Sequence, residues 1–319
     1  MTIDSSTDHS PAFDRPDPVL TPLTCNQAAR LVRLALRAAA RLGLDVTYQG
    51  GGALVPVDQS ATMPVLGLCN LARAISAYDE QHWPRLVERH FDQVLQRLRT
   101  GPPGPPTDPE RELIQRLVPR DALPAEWTAD KPEFLPGLLS VPAIAKDGVV
   151  TMFLDPSDFG LTWPEAERLG LANLRRRTDQ VEYLVHDDTT IALITGSSFA
   201  ASRALVLDTV LRESLHLENP KYGVLVALPT RDHLFIHVIQ DLSVIPTLGL
   251  MLNLAARCHS HDPGPLTPDV HLVTCHNATL AWHPATTPSP DNAPLRLSPQ
   301  LTSLTKTLAT LEPPATPST

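Results

Sequence analysis

The residue types best suited to chemistry gather in a few places along the chain. In Ala227 to Ile239, ALPTRDHLFIHVI, the quartet Pro229-Thr230-Arg231-Asp232 stands between an apolar run and an alternating one, with His233 and His237 just behind. A guanidinium and a carboxylate at a sheet end could hold a carboxylate or phosphate; the same quartet also suits a hairpin turn, with Pro to start it and Asp to satisfy nearby amides. Upstream, Thr195-Gly196-Ser197-Ser198 precedes an apolar segment containing Arg203. Free amides at a helix start beside a cation would take an anion, although a Ser that merely caps a helix reads the same way. Ser197, Ser198, Arg203, Arg231 and Asp232 are therefore the candidate site for an anion or small molecule. A nucleophilic Ser with His237 and Asp232 lacks the GxSxG elbow that would support it.

A second group has metal-ligand chemistry. Cys258, His261, His271 and Cys275 could offer two thiolates and two imidazoles to a zinc ion, yet their spacing matches no standard zinc pattern. In DPSDFG, Asp155 and Asp158 are too few oxygen ligands for calcium, and a turn is expected there. Gly50-Gly51-Gly52 lacks the spacing of a phosphate-binding loop. No cofactor is expected.

These groups need elements to hold them. Thr24-Cys25-Asn26-Gln27 fits a capping box, and Leu31, Leu34, Ala35, Ala38 and Leu42 then recur at helical spacing. That helix carries Arg30, Arg33, Arg37 and Arg41 on another face, a candidate docking stripe for an acidic partner or a solvated face. LDVTYQGGGALVPVD reads as two strands around the glycines, and Trp83 to Leu98 as a helix with Pro84 in its first turn. ELIQRLVPR is expected to be a short helix, GVVTMFL a strand, and Thr162-Trp163-Pro164-Glu165 a capping box opening a helix. VEYLVHD with TTIALITG, VLVALP with HLFIHVI, and HLVTCHNATLAWH suggest three hairpins; Ser197 to Leu215 and Ser243 to Cys258 suggest helices. Together these predict an α+β fold with mainly antiparallel sheets and two subdomains.

Composition sets the frame. The 319 residues include 33 prolines against 15 glycines, and the net charge of −9 disfavours nucleic acid and anionic membranes as partners. The prolines cluster. Residues 1–20 and 284–319 are expected to be disordered tails and 100–110 a Pro/Gly-rich linker, dividing an N-terminal subdomain at 21–99 from a C-terminal domain at 111–283. An acidic N-terminus without an apolar run, and cysteines without a CxxC pair, suggest a cytoplasmic protein. GLCNLAR (67–73) and GLANLRR (170–176) share GLxNLxR, an echo that fits chance or reuse of a small polar residue on a helix better than a distant duplication, because the flanks do not align.

The order of GLCNLARAI, DGVVTMFLDPSDFGLTWPEAERLGLANLRRR, GSSFAASRALV, YGVLVALPTRDHLFIHVI and LTPDVHLV resembles the YtpQ-like family of uncharacterised bacterial proteins. That resemblance covers about residues 25–283 and implies no particular reaction, cofactor or catalytic residue. The expected function is a non-catalytic binding or adaptor module with an unknown protein partner. Its rivals are an anion-binding or small-molecule-binding enzyme and a structural zinc module.

Overall fold

The Thr24 box forms as the sequence predicts: Gln27 N–H donates to Thr24 Oγ1 (3.4 Å), and Thr24 N–H to Gln27 Oε1 (3.1 Å). The structure is a computed structural model describing residues 15–58, 65–101, 104–146, 149–186, 189–276, 279–287 and 296–311. The chain divides into two compact units, Met1–Pro102 with Ser260–Pro263, and Pro103–His259 with Gly264–Thr319. The break falls inside the expected linker.

In the smaller unit, helix α1 (Cys25–Arg41) leads to a three-stranded antiparallel sheet of β1 (Val46–Tyr48), β2 (Ala53–Pro56) and β3 (Leu66–Gly67). Helices α2 (Cys69–Ser76) and α3 (Trp83–Thr100) follow. Leu31 and Ala35 of α1, Leu54 of β2, Ile75 of α2, and Trp83, Val87 and Phe91 of α3 share one core. Leu20 joins them, fully buried, so the expected N-terminal tail is anchored in the core at its end, while Arg15, Pro16, Pro18 and Val19 are exposed. An apolar side chain beside a Pro-rich tract found a surface to cover, which composition does not register.

The larger unit is built on a six-stranded antiparallel sheet ordered β13-β12-β10-β11-β9-β8. Its strands are β8 (Gln180–His186), β9 (Thr189–Thr195), β10 (Val224–Thr230), β11 (His233–Val238), β12 (Val270–His276) and β13 (Thr279–Pro284). The three expected hairpins are all present. Arg231 and Asp232 form the two-residue turn of the second, because Thr230 pairs with His233 across it. A four-stranded sheet precedes it in the chain: β4 (Ile114–Pro119), β5 (Glu133–Leu135), β6 (Leu138–Lys146) and β7 (Val149–Met152), in the order β4-β6-β5 with β7 on the far end of β6. The short strands β14 (Thr286–Thr287) and β15 (Arg296–Leu297) pair with each other.

The longer helices of this unit are α4 (Trp163–Arg175), α5 (Val244–His261) and α6 (Pro299–Leu311), beside single turns at Pro109–Glu112 and Ala125–Thr128. One face of the large sheet, with Leu225 and Phe235, packs on Leu248 and Met251 of α5 and Leu301 and Leu308 of α6. The opposite face, with Val224, Val226, Leu234 and Ile236, meets residues 200–211 and Leu117 of β4. A mixed α+β fold with antiparallel sheets, hairpins and helices is thus observed.

Three further expectations need correction. ELIQRLVPR is not a helix: its centre is β4, paired along its length with β6 and buried at every residue from Ile114 to Val118. Ser197–Leu215 is not one α-helix but a 3-10 stretch (Ala201–Val206), a short α turn (Leu207–Thr209) and a π turn (Val210–Ser214). Nearly all of Phe199 to Leu211 is buried, so the winding changes to seat side chains all round rather than along one stripe. The third is 284–319, expected to be a tail: Ala285 is buried, and α6 places Leu301 and Leu308 in the core. The remainder of that stretch, at 288–295 and 312–319, lies outside the described residues, as do residues 1–14.

Candidate functional site

Strand β4 puts two polar residues side by side into the interior, Gln115 and Arg116. Alternation sends Arg116 to the same side as Ile114, toward Phe199. Arg116 is 8% exposed, and its Nη1 is buried with no hydrogen-bond partner among the described residues. The guanidinium carbon lies 5.4 Å from the centroid of the Phe199 ring. A second guanidinium, that of Arg177, lies 5.2 Å from the same centroid. One aromatic face or edge is a modest compensation for a buried cation, worth about 0.5–2 kcal/mol.

Burial pushes the Arg116 guanidinium below its ordinary value, Arg231 pushes it the same way by repulsion, and Asp232 opposes them. Arg231 and Asp232 hold each other loosely, Nε to Oδ2 at 3.4 Å, and both are about one-third exposed. Their turn is fixed through the backbone. Arg231 N–H donates to the Gly264 carbonyl (2.8 Å) and Ala201 N–H to the Arg231 carbonyl (3.1 Å). Gly264 has φ +71°, and a Cβ there would fall 2.6 Å from Arg231 Cδ, so glycine is what lets the chain pass under the arginine.

Ser197 supports the other side of Phe199. Its Oγ accepts from Phe199 N–H (3.2 Å) and from Arg177 Nη2 (3.3 Å), so it holds the turn and orients Arg177. Ser198 is half-buried beside it. Arg203 is placed differently. It is 3% exposed and bound to Asp179, itself 4% exposed, through Nε (2.8 Å) and Nη2 (2.9 Å), while Nη1 donates to the Leu174 carbonyl. Ser214 Oγ donates to the same carboxylate at 2.6 Å. Its charge is met within the chain. Of the five sequence candidates, Ser197, Arg231 and Asp232 thus surround or contact the Phe199 region, Ser198 adjoins it, and Arg203 is a structural ion pair bordering a cleft of about 320 Å3 with Arg175, Arg176 and Arg177.

His237 does not approach Ser197 as a triad partner would. Its Nδ1 donates to the Thr190 carbonyl (2.8 Å), which fixes the tautomer, and Nε2 is buried without a partner among the described residues. Burial holds it below its ordinary value. Asp155 Oδ1 accepts from Ser157 N–H and Oγ–H, the expected turn.

The four expected zinc ligands do not converge on one point in the fold. His271 and Cys275 lie on the same face of β12 but four residues apart, about 13 Å at strand rise, whereas ligands of one zinc ion must lie within about 4 Å of each other. His271 instead stacks edge-on to Trp282 with centroids 6.1 Å apart, and Cys275 Sγ donates to Asn219 Oδ1 at 3.7 Å. Cys258 and His261 sit in the last turn of α5. Among the described residues, His261, His271 and Cys275 belong to no group of three ligating side chains able to share an ion. In the smaller unit, Arg30 pairs with Glu80 and Arg41 with Asp92, each at 3.1 Å, while Arg33 and Arg37 are exposed and make no ion pair among the described residues.

Sequence reasoning missed Arg116, Arg177 and Phe199. Arg116 lies in ELIQRLVPR, which the sequence suggests is a short helix, where a charge needs no explanation. Compared with family models, curated proteins and solved structures, the chain matches none of them, so the YtpQ-like resemblance rests on its motifs alone. No helix among the described residues is long and apolar enough to cross a membrane.

Proposed function

We propose that the chain is a non-catalytic binding module whose larger unit takes an anionic ligand, a carboxylate or phosphate group, between Arg116 and Arg231. The observation that carries this reading is Arg116 itself: a permanently charged group, nine-tenths buried, with an aromatic ring and a second arginine for neighbours, no ion-pair partner of its own among the described residues, and Asp232, already engaged by Arg231, as the one carboxylate that offsets its charge. Arginines hold charge rather than move protons, which favours binding over acid–base chemistry. A reducing, cytoplasmic setting is part of the proposal and is supported by four cysteines, none of them in a disulfide.

The test is thermal unfolding and calorimetric titration with inorganic phosphate and with acetate, comparing wild type, Arg116→Met and Arg231→Ala. Ligand at 100 times Kd stabilises the wild type by about 2.7 kcal/mol. That gain should vanish in Arg116→Met and shrink in Arg231→Ala. Equal responses in all three proteins, or none in the wild type, overturn the reading. A second reading, docking of an acidic protein partner on α1, is favoured by Arg33 and Arg37, whose charges no described residue answers.

A further inference from the structure

The sheet of the larger unit stops at β8. All seven β8 residues pair with β9 in unbroken register, and no described strand lies on the other side. An open edge leaves alternate N–H and C=O groups without ladder partners, and proteins commonly guard such edges with Lys, Pro, a bulge or a covering element. Gln180–His186, QVEYLVH, contains neither Lys nor Pro, and its pairing has no bulge. Tyr183 and Val185, two residues apart and so on one face, are 59% and 66% exposed. The opposite edge strand, β13, ends in Pro284 and is half-buried over its central residues.

We propose that β8 pairs antiparallel with β8 of a second copy of this chain, about a two-fold axis through Tyr183, joining two six-stranded sheets into one. The strand is self-complementary in that register. Val181 falls opposite the second copy's Val185, Tyr183 opposite its own counterpart, Glu182 opposite Leu184 and Gln180 opposite His186, so an apolar ladder forms on one face and no like charges oppose each other. It is the register in which all seven residues overlap. A slip of one residue sets one face of the first sheet beside the opposite face of the second, and a slip of two in one direction sets Glu182 against Glu182. A two-fold axis requires this kind of self-matching patch. The inference rests on the sheet edge and is independent of the arginine cluster.

One strand pair is a small interface, below about 1,200 Å2, so the dimer belongs to the weak class with Kd in the micromolar range or above. Sedimentation equilibrium of the full chain from about 5 to about 500 µM should show it, and association should strengthen with salt, because two copies of net charge −9 repel each other. Y183K places like charges face to face on an exposed position and should weaken association at least about tenfold while leaving the thermal midpoint unchanged. Cysteine substitution reads the register: Y183C should cross-link to itself under mild oxidation, whereas V185C, opposite Val181, should cross-link no more than wild type. A wild type that stays monomeric throughout, a dimer untouched by Y183K, or cross-linking by V185C equal to that of Y183C overturns the proposal.

Discussion

Two buried arginines in the same unit should respond with opposite signs to the same substitution. Arg203→Met leaves Asp179, 4% exposed, with the Ser214 hydroxyl but no cation, and removes a donor from the Leu174 carbonyl. Breaking a buried pair in this way costs about 3–5 kcal/mol. Arg116→Met strands no carboxylate. It removes a desolvated charge whose burial costs several kcal/mol, forfeits a ring contact worth about 0.5–2 kcal/mol, and keeps a long apolar side chain against Phe199. The expected result is a gain of about 1–2 kcal/mol in buffer free of polyvalent anions. Urea unfolding followed by tryptophan fluorescence, read as a shift in midpoint at constant slope, measures both variants side by side. Added phosphate should then raise the wild type and leave Arg116→Met where it was. A loss of several kcal/mol for Arg116→Met would refute the reasoning, since it would mean that the guanidinium is already neutralised within the fold.

The larger unit should weaken in acid. Burial lowers the pKa of both His237 and His271, so the unfolded chain binds more protons than the folded one; stability is full above the ordinary histidine pKa and falls as pH drops through the folded values. The limiting slope is about 1.4 kcal/mol per pH unit for each histidine, and unfolding between pH 7.5 and 5 should show it flattened in His271→Phe. An identical slope in that variant would point to other groups. Gly170→Ala should destabilise by about 1–2 kcal/mol, because its Cβ would lie 2.9 Å from the Gln115 backbone nitrogen where α4 packs on β4. An unchanged midpoint would show that α4 yields there at no cost.

Local rules were legible where local chemistry decides the outcome. Both capping boxes, at Thr24 and Thr162, and the Arg231-Asp232 turn follow from side chains within a few residues of each other. Where burial is complete, the rules fail. Leu113, Ile114, Leu117 and Val118 have helical spacing, but in β4 the intervening Gln115 and Arg116 are buried as well, which no periodicity announces. Strand β6 carries Pro142 in its middle and so reads as broken; it is tolerated because β7 pairs only beyond it, from Ala143 to Lys146. The GLxNLxR echo is equally uninformative about role. Asn70 is exposed, whereas Asn173 is buried and donates to the carbonyls of Glu110 and Leu113, tying α4 to the start of β4. The candidate site was half legible, since the loop residues Ser197, Arg231 and Asp232 look polar and available while the arginine beneath them was hidden in a misassigned element.

Helix α6 has a consequence for how the protein is made. A ribosome emits the chain from its N-terminus at about 5–20 residues per second, so the strands of the large sheet are all outside before the residues that cap one of its faces. Until Leu301 and Leu308 arrive, part of the apolar surface around Leu225 and Phe235 has no cover. A stretch synthesised after every strand of the large sheet therefore closes the core, and a nascent chain halted near residue 284 would present that surface to chaperones rather than a finished sheet.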